Sequence, residues 1–204
     1  MRKEIRDDIL NAAKALFVTK GYRGVSLQDI ADVVGISKGN LTYHFNKKEM
    51  IIEALLSRNG GRKHHAVPTT LQELDHVFLD MQQAIQNNAY YFLHYAEFSQ
   101  LSPKIAELQT AAYRESMGLF RHAFVNLRAA GLFREELFSG EYDCAIDTLH
   151  MTFIYWQPYS ELCKTDNAIA GCRRQAWRIM YHFLTEKGVL EIKSIAEDAP
   201  PCRC

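Results

Sequence analysis

From Ser37 to Lys48 the chain reads SKGNLTYHFNKK, and most of these side chains can donate a hydrogen bond or carry positive charge. Lys38, Thr42, Tyr43 and His44 supply donors, Gly39 supplies no side chain at all, and Lys47 and Lys48 add charge a few residues on. The chemistry suited to this set is noncovalent. Such groups donate to phosphate oxygens and base edges, and a glycine leaves room where a duplex presses closest. A helix start in the same stretch adds backbone N–H groups that favour an anion. The plain alternative is a helix face that is polar only because it is solvated.

The elements that must position these groups are legible from caps and periodicity. Ser37 suits an N-cap whose oxygen accepts from the Asn40 N–H, with Ile36 and Leu41 as a hydrophobic staple. Leu41 and Phe45, four apart, then face a core, which leaves the donors on the sides and outer face. Asn46 is expected to cap a further helix beginning at Lys47, with Glu49 at its third position. Upstream, SLQDIADVVG pairs Ser26 with Asp29 as a capping box, sets Leu27, Ile30, Ala31 and Val34 in one stripe, and ends on Gly35. Two capped helices, 26–34 and 37–45, joined by a glycine-containing turn make a helix-turn-helix. Before them, Ile5, Ile9, Ala13, Leu16 and Phe17 recur at helical spacing up to Gly21.

Charge agrees with a polyanion partner for this part only. The net charge of the 204 residues is zero, yet residues 1–63 carry 12 Lys/Arg against 7 Asp/Glu and the remainder is acidic to the same extent. No apolar run approaches the roughly 18 residues of a membrane span, and MRKEIRDDIL is too polar for a signal peptide. Five scattered cysteines suit free thiols in a reducing cytoplasm. No phosphate-binding glycine loop, nucleophile elbow or His-Glu-x-x-His is present, so catalysis has no support and no cofactor is expected.

The rest reads as helix, and the expected fold class is all-α. RNGGRKHHAVPTT (58–70) marks a domain boundary, giving a first domain over 3–63 and a second over 64–190. Thr70 and Glu73 cap a helix bearing Leu71, Leu74, Phe78, Met81 and Ile85. NNAYYFLHYAEFSQ predicts one short aromatic helix, and Ser102-Pro103 opens a long helix to about Ala130, closed by Gly131. Helices over 141–162 and 167–187 follow, the second stopped by Gly188, and 191–204 is expected to be a disordered tail. These two helices carry apolar residues on more than one face, which predicts a two-fold four-helix interface near Ile169, Cys172, Ala176, Met180 and Phe183. Gly60-Gly61 is either a compliant joint between domains or a helix stop.

GYRGVSLQDIADVVGISKGNLTYHFNKKEMIIEAL resembles the N-terminal domain of the TetR/AcrR family of bacterial transcriptional repressors, with the motif about 26–45. The resemblance covers about 3–63; beyond it only the general plan of helix lengths is shared. It implies a homodimeric, all-α repressor that binds palindromic double-stranded operator DNA and is released by a small-molecule effector. It places DNA contacts on Ser26, Gln28, Ser37, Lys38, Gly39, Asn40, Thr42, Tyr43, His44 and Lys48, to which the charge argument adds Lys47. It also implies an effector pocket among the helices of 71–130, walled by the next helix. Apolar pockets with few polar groups then point to Tyr91, Tyr95, Phe98, Tyr113, Met117, Phe120, Phe153 and Trp156, with His94, Glu97, Gln109 and His150 as polar anchors. Ordinary core or interface is the competing role for each aromatic. Asp143, Asp147 and His150 share a helix face, but an interfacial polar stripe explains them better than a metal, and Cys202 and Cys204 have no zinc-like spacing to a partner. A sensor or adaptor whose head no longer reads DNA is the second functional class.

Overall fold

The computed structural model describes residues 2–59, 66–163 and 171–196. Within them the regular elements are helices: α1 (Arg2–Lys20), α2 (Leu27–Val34), α3 (Lys38–His44), α4 (Lys48–Asn59), α5 (Leu71–Asn87) and α6 (Ala89–Leu93). They continue with α7 (Tyr95–Leu101), α8 (Pro103–Ala129), α9 (Glu141–Cys163), α10 (Gly171–Tyr181) and α11 (Glu186–Ala196). Phe133 and Leu184 form an isolated β-bridge between turns. The all-α fold expected from periodicity is what forms. Gly60, Gly61, Ile169, Cys202 and Cys204 lie outside the described residues.

The helices pack as two compact units, Met1–Lys63 with Asn88–Ala112, and His64–Asn87 with Tyr113–Cys204. The first unit therefore differs from the expected division, which assigned residues 64–190 to the second domain. Aromatic packing explains the difference. Tyr90 of α6 lies against Phe17 of α1 at 5.5 Å, and Phe98 of α7 meets Tyr22 edge-on at 4.9 Å. The core of α1 to α4 is closed by Ile9, Leu10, Ala13, Ile30, Ala31, Leu41, Phe45, Ile51, Ile52 and Leu55. Ser102 caps α8 as expected, accepting from the Ile105 N–H at 3.2 Å, and its hydroxyl donates to Glu53 of α4 at 2.6 Å. The aromatic stretch is not one helix, because the chain breaks at His94 between α6 and α7.

In the second unit Phe78 of α5 is ringed by Phe120, Phe153 and Trp177 at 5.3–6.1 Å. Asp75 of α5 holds α10: the Arg173 guanidinium donates to both of its oxygens at 2.6 and 2.7 Å, and Trp177 Nε1 donates at 2.8 Å. Gly188 is not a helix stop. It lies in the first turn of α11, where a Cβ would meet the Leu132 carbonyl oxygen at 2.4 Å, so the glycine serves a close backbone approach. The turn at 182–185, not Gly188, ends α10, with the Arg134 N–H donating to the Phe183 carbonyl at 2.8 Å. Helix α11 then runs to Ala196, so 191–196 are helical where a disordered tail is expected.

The turn before α9 is pinned by Arg134, which donates to both oxygens of Glu141, while the Leu137 N–H donates to the same carboxylate. These bonds hold the Glu141 carboxyl down from an ordinary 4.5 to about 2. A depressed folded value stabilises above pH 4.5 and loses its contribution as pH falls towards 2. Glu141→Gln is therefore expected to lower stability at neutral pH and to flatten the acid limb of a melting-temperature profile between pH 4.5 and 2.

Candidate nucleic-acid interface

Local signals build the motif as the residues require. The Ser26 hydroxyl accepts from the Asp29 N–H at 3.2 Å, and Asp29 accepts in return from the Ser26 N–H at 2.7 Å. Those bonds keep the Asp29 carboxyl below its usual range, the Ser26 hydroxyl bond first among them. Helix α2 ends at Gly35 in the left-handed region, φ 74°. Ser37 caps α3, accepting from the Asn40 N–H at 3.2 Å. Leu41 and Phe45 are buried and the opposite face is open: Lys38, Gly39, Asn40 and Tyr43 are exposed, with Thr42 and His44 half-buried.

Two features of that face bear on what it could touch. Tyr43 is 69% exposed, a large aromatic held out in water, with the His44 ring edge-on at 5.4 Å. A Cβ on Gly39 would meet only Ser37 Oγ, at 3.9 Å. Nothing inside the protein demands glycine there, although glycine costs a helix up to about 1 kcal/mol relative to alanine.

Other expected contacts are partly committed elsewhere. The Thr42 hydroxyl donates to the Gly39 carbonyl at 3.0 Å, leaving its lone pairs for a partner. Gln28 Nε2 donates to Asp32 at 2.7 Å, and the Ser26 hydroxyl donates to Asp29 at 2.6 Å. Lys47 is exposed. Lys48 is turned inward: its ammonium donates to the Tyr22 and Val25 carbonyls, each at 2.7 Å, and sits 4.2 Å over the Tyr22 ring. Burial lowers its pKa. Lys48 thus ties the start of α4 to the α1–α2 turn. Tyr22 also donates to Glu49 at 3.3 Å, and its hydroxyl pKa is pushed up, by burial first and by the Glu49 charge second. One cation near the motif carries no sequence signal: Arg6 of α1, exposed, lies 5.0 Å from the centre of the Phe45 ring.

The expected effector residues fall into two groups. In the first unit Tyr91 stacks on Phe98 at 5.6 Å and meets Tyr95 edge-on, while Gln109 Nε2 donates to the Tyr91 hydroxyl at 3.1 Å and the Tyr95 carbonyl at 3.0 Å. Glu97 is taken by Arg23 at 2.7 Å and by His94 at 3.4 Å. In the second unit Phe120 and Phe153 pack on Phe78, Met117 is buried, and Trp156 lies over Gly171 and beside Tyr159. Tyr113 lies 4.7 Å from the His150 ring and reaches Asp147 at 3.5 Å, while Asp143 pairs with Arg121 at 2.7 Å.

The α10 residues expected at a dimer interface are inside the subunit instead. Cys172, Ala176 and Met180 form the buried stripe of α10, and Phe183 is buried in the turn after it. Periodicity finds such a stripe without saying what it packs on. Among the described residues an exposed apolar face lies on α9, where Met151, Tyr155, Tyr159 and Leu162 are all more than half exposed. Beside it runs a groove of 440 Å³ between α9 and α10, lined by Cys144, Ala145, Thr148, Ile179 and Phe183 among others.

Comparison with known proteins bears on the same segment. Residues 9–55 match the family model of bacterial regulatory proteins, tetR family. The chain is 39% identical over 51 residues to the HTH-type transcriptional repressor KstR2 of Mycolicibacterium smegmatis, a quarter of each chain. It is 30% identical over 90 residues to the biofilm operon regulator IcaR of Staphylococcus aureus, covering 39% of this chain and 48% of that one. The matches thus span a quarter to about half the length of these curated relatives. Among solved structures, a TetR-family transcriptional regulator from Marinobacter aquaeolei superposes with TM-score 0.87 at 18% identity, over 96% of this chain and 98% of that one. A protein from Saccharomonospora viridis, solved in complex with choline, superposes with TM-score 0.72 at 22% identity, over 90% and 99%. Over residues 9–55, which run from α1 into α4, the chain is similar to the tetR family of bacterial regulatory proteins.

Proposed function

We propose that this protein is a homodimeric transcriptional repressor of the cytoplasm, which occupies a palindromic operator through α3 and leaves it when a small molecule binds. The observation that carries this reading is α3 itself, a capped helix whose open outer face bears Lys38, Gly39, Asn40 and an exposed Tyr43. The relatives named above as repressors support it. The contacts to DNA are Lys38, Gly39, Asn40, Thr42, Tyr43, His44 and Lys47, with Ser26, Gln28 and Ser37 at the motif's edges. Lys48 acts by fixing the frame.

Dimerisation through the exposed α9 face would set two reading heads for successive major grooves, roughly 34 Å apart. No helix among the described residues is long and apolar enough to cross a membrane. The effector site draws on Tyr91, Tyr95 and Phe98 of the first unit or on Tyr113, Met117, Phe120, Phe153 and Trp156 of the second. Their ring faces would suit an organic cation such as the choline bound by the Saccharomonospora protein. Release runs through the first unit: a molecule that shifts Phe98 moves Tyr22, and Tyr22 supplies both the carbonyl and the ring that hold Lys48 at the head of α4. An effector changes the balance only through its different affinity for the two arrangements.

The test is binding to the duplex flanking its own coding region, followed by fluorescence anisotropy across salt. Lys38→Ala and Tyr43→Ala are each expected to weaken binding by about 1–2 kcal/mol with melting temperature and dimer intact. Unchanged affinity in both variants would remove α3 as the reading element. No binding to any duplex would leave the sensor without a DNA role.

A further inference from the structure

Between the outward Lys47 and the inward Lys48, the charge facing a duplex at the C-terminal end of α3 is less than the sequence suggests. Arg6 stands at that end. Its guanidinium covers the ring of Phe45, the residue that caps α3, with Cζ 5.0 Å from the ring centre. Phe45 is buried, while Arg6 is exposed and makes no ion pair among the described residues, its neighbours Asp7 and Asp8 included. A guanidinium lying over a ring keeps its N–H groups around its edge, and that planar fork matches two phosphate oxygens.

The dimensions place that edge at a phosphate wall. Helix α3 has seven residues, about 10 Å of helix, and the major groove is about 12 Å wide. A helix of that length lying across the groove brings both of its ends to the sugar–phosphate backbones. Its first turn offers Lys38; its far end offers Lys47 and, by way of α1, Arg6.

Resting on the proposed DNA-binding function, we infer that Arg6 is a positioning residue that clamps a backbone phosphate beside α3, with Phe45 as the platform that orients it. Two subunits then neutralise two further phosphates, independently of base sequence.

Arg6→Met separates this role from simple coverage of Phe45, because methionine keeps apolar cover on the ring and removes the charge. Binding would be measured for the wild type, Arg6→Met and Arg6→Lys on the duplex flanking the gene and on a shuffled duplex, across a salt series, with melting temperatures alongside. For Arg6→Met the slope of log K against log salt should become shallower by about 1.8, at about 0.9 per phosphate for two subunits. Affinity at the lowest salt should fall about tenfold on both duplexes, with the melting temperature close to wild type. Arg6→Lys should keep the slope and recover part of the affinity. An Arg6→Met protein that keeps the wild-type slope overturns the clamp, and a lowered melting temperature with that slope assigns Arg6 to covering Phe45. A wild type that binds neither duplex overturns the function and the clamp together.

Discussion

Gly39→Leu is expected to leave the protein folded, and slightly more stable, while weakening binding to operator DNA by roughly 3 kcal/mol or more, over a hundredfold. The two signs come from different sides of the same atom. Inward and along the helix, a Cβ at Gly39 has only Ser37 Oγ near it, at 3.9 Å, so the new side chain meets no wall. Leucine also favours the helix over glycine by up to about 1 kcal/mol. Outward, the side chain would occupy the gap through which α3 approaches the duplex, in both subunits at once. Gly39→Ala should show the same opposition at smaller size. The check is a melting curve beside an anisotropy titration on each variant. Undiminished binding by Gly39→Leu would mean that α3 does not press on DNA at this position.

Asp75→Ala should cost about 3–5 kcal/mol of stability, on the order of 10 °C in melting temperature. Asp75 is 4% exposed and takes both bonds of the Arg173 fork and that of Trp177. Removing it leaves a guanidinium with little water beside it and an indole N–H without its acceptor, and frees α10 from α5. Adding Arg173→Met should return much of the loss, since replacing a whole buried pair by apolar groups is often nearly neutral. Chemical denaturation of the single and double variants measures the coupling. Strictly additive costs would show that Asp75 and Arg173 do not act as a pair.

The contrast between these two sites shows what sequence reading could reach. Every signal that built the motif is local. Ser26 finds Asp29 and Ser37 finds Asn40 three residues on, and Gly21 and Gly35 turn the chain where they stand. The direction of Lys48 depends on carbonyls 23 and 26 residues away, which no local signal near α3 reveals. Arg6 gives no signal at all until α1 is laid against Phe45. Asp75 and Arg173 are 98 residues apart, and the role of Gly188 rests on the backbone of Leu132. In α10 the stripe of Cys172, Ala176 and Met180 was legible as apolar, but a helix with two apolar faces leaves open which one meets the subunit's own core. Residue type alone does not separate the effector rings into the two groups in which they pack.

Because α6, α7 and the start of α8 complete the first unit, the reading head depends on when the chain is made as well as on its contacts. Synthesis delivers α1 to α4 first, with Phe17 and Tyr22 still waiting for the rings of Tyr90 and Phe98. The head can finish folding only after residue 112 has left the ribosome, past the middle of the chain. A fragment ending at residue 59 should then be poorly folded, and one ending at residue 112 should carry everything the head packs against. Nascent chains of increasing length, probed by brief proteolysis, should therefore gain protection of α1 to α4 late and in one step, well after the reading helix itself has been translated.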